Sequence, residues 1–135
     1  MPGLCVYAAG ALVAKLAGAA AFTLAWTHSI EKIPWEEDWR VTAAGLVLEQ
    51  ARVKGSGAGM EPPPEARLEG GVWRWAPRVP ALPELVLRRS GFTADWRLCV
   101  DGRCRPMDEL VPAEADPVTL RACPAEPVSS GSARP

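Results

Sequence analysis

The chain has 135 residues, enough for a single domain with a sizeable hydrophobic core. Its hydrophobic fraction of 48% and charged fraction of 23% are those of an ordinary globular protein. A net charge of −1 excludes a general electrostatic attraction to nucleic acid or to an anionic membrane surface. The 14 prolines and 12 glycines break the chain into short segments, which favours strands over long helices, and the six tryptophans suit a β core or a binding surface.

The first apolar stretch, residues 4–26, is long enough to cross a membrane as a helix. Lys15 lies near its middle, and most of its residues are the weakly apolar Ala and Gly. No basic residue precedes it, so it also lacks the n-region of a secretory signal, although a longer form of the chain could carry a leader. We therefore predict two strands, residues 4–8 and 11–16, joined by Ala9-Gly10, with a membrane helix as the alternative.

Residues 21–42 alternate with period two, the pattern of strands that have one buried face. Each half of this segment directs one set of residues to the same face: Phe22, Leu24, Trp26, His28 and Ile30 in the first half, and Trp35, Glu37, Trp39 and Val41 in the second. A hairpin folded at residues 31–34 predicts the antiparallel pairs Ile30–Trp35, Trp26–Trp39, Leu24–Val41 and His28–Glu37. The only imidazole of the chain would then lie beside an inward carboxylate, and this pair is our site hypothesis.

An imidazole beside a carboxylate can bind a metal or a ligand, transfer protons or sense pH. It can equally be a structural pair in a tryptophan-rich core, because a buried carboxylate needs a partner. A ligand or cation site here would be built from His28, Glu37 and Glu31, with Ser29, Trp26 and Trp39 at its rim. Ser29 points to the opposite face of the strand from His28, so we assign no catalytic residue, and we assign no metal ligand. Glu36 and Asp38 should face outward as a solvated acidic edge.

A glycine-rich segment, residues 55–60, precedes three consecutive prolines. Its backbone N–H groups could contact an anion, which makes Gly57 and Gly59 candidates for ligand binding. The prolines leave no helix N-terminus for a phosphate, and the sequence identifies no cofactor. The alternative is a loop whose glycines supply positive φ angles or close packing.

The four cysteines suggest two disulfides. Asp101-Gly102 is a strong signal for a two-residue hairpin turn, which would place Cys99 and Cys104 opposite each other at bonding distance. Cys5 and Cys123 lie near the two ends of the chain and could join the first and last strands. Four buried, reduced thiols are the alternative, and the spacing argues against a zinc site.

Further short segments have the character of strands: residues 46–53, 72–75, 85–89, 94–100, 103–107 and 118–123. Residues 108–110 could form a helical turn, and Trp73 and Trp75 share one face of their strand. About nine short strands predict an all-β fold, a single antiparallel β-sandwich or flattened barrel over residues 1–123. The Pro/Ser-rich residues 124–135 are predicted to be a disordered tail.

Three sequence motifs, taken together, are similar to those of a known family: Phe22-Thr23-Leu24-x-Trp26-Thr27-His28-Ser29-Ile30-Glu31-x-x-Pro34-x-Glu36-Glu37, then Gly57-Ala58-Gly59-Met60, then Leu98-Cys99-Val100-Asp101-Gly102. On the basis of these motifs, residues 4–122 resemble the bacterial family called domain of unknown function 1850. The resemblance implies a small, mainly β domain. It also implies association with TRAP transporters of the TAXI type, and it carries no established activity.

Two functions from different classes follow. The first is a non-enzymatic accessory or binding module that works with a TAXI-type TRAP transporter through partner contact or small-ligand or cation binding. Its partners would be the transporter permease or its solute receptor, and any membrane association would come only through them; Trp73, Trp75 and residues 55–60 are its surface candidates. The second is a small enzyme or metal-dependent protein that uses the His28–Glu37 pair. We expect a periplasmic or membrane-associated location if a leader is missing from this chain, and a cytoplasmic one otherwise.

Overall fold

The computed structural model describes residues 3–27, 33–54, 62–90 and 94–124. The described residues form eleven strands and one short 3-10 turn. The strands are β1 (Leu4–Ala8), β2 (Ala11–Leu16), β3 (Ala21–Thr27), β4 (Pro34–Thr42), β5 (Gly45–Lys54), β6 (Arg67–Glu69), β7 (Val72–Trp75), β8 (Leu85–Leu87), β9 (Arg97–Val100), β10 (Arg103–Pro106) and β11 (Val118–Ala122), and the 3-10 turn is Met107–Glu109.

The strands form two antiparallel sheets that pack as a sandwich. The small sheet has the order β2-β1-β11-β8, and the large sheet has the order β10-β9-β3-β4-β5-β7-β6. The predicted all-β class is confirmed, in the form of an open sandwich and not a closed barrel. The N-terminal residues are strands, as predicted, and in the described part of the chain no helix is long and apolar enough to cross a membrane.

The hydrophobic core lies between the two sheets, because alternate residues along a strand point to the face of the sheet that packs against the other sheet. Val6 of β1 lies opposite Leu120 of β11 in the small sheet, and both are fully buried. From the large sheet the core receives Phe22, Leu24, Trp39, Val41, Leu46 and Leu98. Each fully buried aliphatic side chain of this kind stabilises the fold by about 1.5–3 kcal/mol relative to an exposed one.

Both predicted disulfides are present. The sulfur atoms of Cys99 and Cys104 are 1.98 Å apart across the β9–β10 hairpin, whose turn residues Asp101 and Gly102 have φ angles of 53° and 79°. Two positive φ angles are what an Asp-Gly turn of type I′ requires. Cys5 and Cys123 are bonded with an S–S distance of 2.07 Å, which connects β1 to the chain just after β11.

The predicted register of the β3–β4 hairpin is wrong. Trp26 lies opposite Trp35 instead of Trp39, and Leu24 lies opposite Glu37 instead of Val41. The prediction placed a tight loop at residues 31–34, whereas β3 already ends at Thr27 and β4 begins at Pro34. The observed pairing is centred two positions earlier in the chain than the predicted one, so each residue of β3 lies opposite a residue four positions earlier in β4. Because this shift is even, the side chains of both strands keep their predicted faces while their partners change.

Candidate functional site

Four indole rings form a continuous row across the inner face of the large sheet. Trp26 is in contact with Trp96, with ring centroids 5.0 Å apart, and with Trp35, at 5.9 Å. Trp35 in turn meets Trp75 edge-on at 6.1 Å. We call Trp96, Trp26, Trp35 and Trp75 the tryptophan row. The row follows from the sheet order β9-β3-β4-β5-β7 and from the side-chain alternation within its strands.

The tryptophan row extends beyond the part of the large sheet that the core covers. Trp26 and Trp96 pack against the core cluster, but Trp35 and Trp75 are not part of it. All four rings are half-buried, while Trp39 is only 3% exposed. Trp73, which we predicted to share a face with Trp75, lies opposite Val53 on this same inner face and is also half-buried. The inner face of β7 therefore presents indole rings to the surroundings.

Glu37 is the one acidic residue of β4 on this face. It lies between Trp35 and Trp39 along the strand, opposite Leu24 of β3 and Ala51 of β5. Trp39 donates a hydrogen bond from its Nε1 to a carboxylate oxygen of Glu37 at 3.1 Å. Burial raises the pKa of Glu37, and the indole hydrogen bond offsets part of that rise by favouring the charged form. The inward orientation of Glu37 is as predicted, and its partner is an indole.

Trp35 contributes a second polar group. Its Nε1 is the only buried side-chain nitrogen or oxygen without a hydrogen-bond partner within the described ranges. Buried N–H groups are nearly always paired, which makes this one an exception among the described residues. The tryptophan row with the adjacent Glu37 therefore offers aromatic faces and a carboxylate. Aromatic faces bind apolar groups or cations, and the carboxylate favours a cation.

Five of the predicted site residues, His28, Ser29, Glu31, Gly57 and Gly59, lie outside the described residues. The neighbouring strand ends, Thr27, Pro34 and Lys54, lie at one end of the large sheet. Of the other predicted site residues, Trp26 belongs to the tryptophan row, and Trp39 is buried in the core. The enzyme or metal hypothesis depended on a register that set His28 opposite Glu37. That register is wrong, because the residue opposite Glu37 is Leu24.

The opposite face of the large sheet carries an ion-pair network that the sequence did not reveal. Glu36 and Asp38 face outward as predicted, but both bind Arg52 of the adjacent strand β5, and Thr23 donates to Asp38 at 2.7 Å. Partial burial alone would raise the pKa of Asp38, yet hydrogen bonds from Arg52 and Thr23 outweigh it and hold the pKa below its ordinary value. The sequence contains the opposite charges of Glu36 and Arg52, but that these two residues lie opposite each other can be recognised only when the register of β4 against β5 is known.

Neither face gathers the donors of a metal centre: among the residues that the structure describes, no group of three or more His, Cys, Asp or Glu residues could hold a metal ion. Comparison with curated proteins and with solved structures finds no match. A comparison with family models does find one: the model described as "Domain of unknown function (DUF1850)" matches residues 22–107, which is more than half of the chain. The matched region runs from β3 to the start of the 3-10 turn and so includes the whole tryptophan row. Because the match covers more than half of the chain, the chain belongs to the DUF1850 family.

Proposed function

We propose that this protein is a non-enzymatic accessory module of a TAXI-type TRAP transporter, and that it binds the transporter permease or its solute receptor through the tryptophan row. The transporter context is supported by the motifs around Trp26, Glu37 and Gly102, which resemble those of the DUF1850 family. The mode of action rests on one observation: four indole rings, each in contact with the next, remain half-buried on the inner face of the large sheet, and the row continues past the core cluster to Trp35 and Trp75.

Tryptophan is the residue most enriched among the energetically dominant positions of protein–protein interfaces. Five of the six tryptophans of this chain keep part of their surface exposed, whereas Trp39 is buried in the core. The partly exposed aromatic faces of the row would gain apolar contacts from a bound partner. This gain favours a protein surface as the occupant of the row.

A periplasmic location is part of the proposal. Two disulfides in a chain of 135 residues are typical of proteins in oxidising compartments, where such bonds form and persist. The Cys5–Cys123 bond joins the two ends of the fold, and the Cys99–Cys104 bond closes one hairpin. Both would be lost in a reducing cytoplasm.

Co-purification tests the proposal. The tagged protein is co-expressed with the permease and the solute receptor of a TAXI-type transporter, and the captured amount of each is measured. Trp75→Ala should reduce capture at least about tenfold, the effect of losing one dominant interface residue. Leu12→Ala and Val86→Ala, which remove side chains that are 53% and 52% exposed on the small sheet, serve as matched controls.

Two results would overturn the proposal. One is capture of neither transporter protein by the unmodified chain. The other is equal capture by Trp75→Ala and by the small-sheet controls. Binding of a small organic cation to the row without any transporter protein, monitored by tryptophan fluorescence, would instead assign the row to ligand binding.

A further inference from the structure

A second concave site lies at the edge where the two sheets meet, and it shares no residue with the tryptophan row. It is a groove of about 330 Å³ between the end of β2 and the β9–β10 hairpin. Its apolar lining includes Leu16, Leu98 and Val100, and its charged lining is Lys15, Asp101, Arg103 and Arg105. The two arginines of this lining lie in a chain whose net charge is −1.

Arg103 and Arg105 face the apolar side of the groove. In the β9–β10 register, Arg103 lies opposite Val100 and Arg105 lies opposite Leu98, so all four side chains share one side of the hairpin. Residues two apart on a strand are about 6.7 Å apart, so the two arginines project from neighbouring positions on the same side of the hairpin.

The two groove arginines differ from most arginines of the fold in having no carboxylate partner among the described residues. Six other arginines form ion pairs: Arg40, Arg52, Arg74, Arg88, Arg89 and Arg121. A planar guanidinium presents several N–H donors in a geometry that matches an oxyanion. Two guanidinium groups without a carboxylate partner among the described residues, beside an apolar surface, therefore form a site that is complementary to an anion with a hydrocarbon part.

The hairpin that carries these arginines is held by a covalent bond. Cys104 lies between Arg103 and Arg105 in the sequence and is bonded to Cys99 on the opposite strand. Constraining a binding segment before the ligand arrives lowers the entropy lost on binding. The disulfide thus holds the strand that carries the two arginines against the strand that carries Leu98 and Val100.

We propose that this groove binds a small organic carboxylate, with its carboxylate on Arg103 and Arg105 and its hydrocarbon part over Leu16 and Val100, above the buried Leu98. An inorganic oxyanion would use the arginines and leave the apolar lining exposed. The proposal is independent of the transporter proposal, because it uses other residues at another place in the fold.

The experiment is an NMR titration of the isotope-labelled protein with butyrate, inorganic phosphate and uncharged butyramide as probes. Butyrate should shift the methyl signals of Leu98 and Val100 saturably, with a dissociation constant of about 1 mM, the strength that two charge-assisted hydrogen bonds at an exposed site support. Phosphate should bind more weakly than butyrate, and butyramide should give no saturable shift.

Two double variants complete the test. R103Q/R105Q should weaken butyrate binding at least about tenfold. R67Q/R78Q is the matched control, because it removes two exposed arginines that also have no carboxylate partner in the described part of the chain but lie outside the groove, and it should leave binding unchanged. Equal loss in both variants, phosphate or butyramide binding as tightly as butyrate, or the absence of saturable shifts would each overturn the proposal.

Discussion

Trp39 donates its indole N–H to Glu37, two residues earlier on the same face of β4, at 3.1 Å. The contact connects the buried core, to which Trp39 belongs, with Glu37, which lies next to Trp35 of the tryptophan row on the same face of β4. A single indole donor satisfies only part of a carboxylate that can accept several hydrogen bonds. Glu37 is therefore an acid under partial desolvation, and its titration reports on the face that we assign to partner binding.

The stability of the protein should fall as Glu37 ionises. Burial raises its pKa in the folded state above the unfolded value, so the stabilisation is complete below the unfolded pKa and is lost as pH rises through the folded pKa. Glu37→Gln removes this titration and keeps an oxygen that accepts from Trp39. Between pH 4 and pH 7 the stability of the variant relative to the unmodified protein should rise by up to about 1 kcal/mol, since solvent screens a half-buried charge.

Urea denaturation across this pH range measures the difference. A stability difference that does not change with pH, or that changes in favour of the unmodified protein as pH rises, would contradict the assigned environment of Glu37.

Arg89 should be far more important to stability than its neighbour Arg88. Its side chain is 7% exposed and binds Asp95 through two nitrogens, at 3.1 and 2.7 Å, and the carbonyl oxygens of Pro112 and Ala115 at 2.7 and 2.9 Å. Arg89→Ala leaves these acceptors without their donor and should cost about 3 kcal/mol. The Arg88 side chain is 76% exposed and pairs with Asp116, so Arg88→Ala is the matched control with a much smaller loss.

The measurement is the urea midpoint of the two variants at neutral pH. Similar midpoints for Arg88→Ala and Arg89→Ala would show that Arg89 does not hold the segments around Asp95 and Pro112 together.

The two disulfides should contribute unequally. The Cys5–Cys123 bond joins residues 118 positions apart, and the Cys99–Cys104 bond joins residues 5 positions apart. In the chain-entropy model, removing the first costs about 5 kcal/mol and removing the second about 2 kcal/mol. Guanidinium denaturation of C5A/C123A and C99A/C104A tests this order. Thiol titration of the unfolded, unreduced protein should find no free thiol, and four free thiols would contradict both bonds.

The alternation of residues along the chain predicted which face each side chain occupies but not which residue lies opposite it. Trp35, Glu37 and Trp39 all point inward as predicted, because the face depends only on the period of two. The register of β3 against β4 depends on where in the sequence the connection is centred, and a slide by an even number preserves the same faces. The β9–β10 register was predictable because Asp101-Gly102 specifies a two-residue turn.

The tryptophan row could be predicted only in part. The shared face of Trp73 and Trp75 follows from their own strand. The contact of Trp26 with Trp96 depends on β9 lying next to β3, a neighbour distant in sequence that local patterns do not indicate. The groove with Arg103 and Arg105 is likewise formed where the edges of the two sheets meet, so it appears only once the sheet order is known.

Hydrogen exchange by mass spectrometry tests the central claim most directly. The protein is measured alone and after mixing with the purified solute receptor or the purified permease of a TAXI-type transporter. We predict that one of these proteins slows exchange in β4, β5 and β7, the strands that carry Trp35 and Trp75 or lie between them, and leaves β1, β2 and β11 of the small sheet unchanged. Slowed exchange confined to the small sheet, or no change with either protein, would contradict the account.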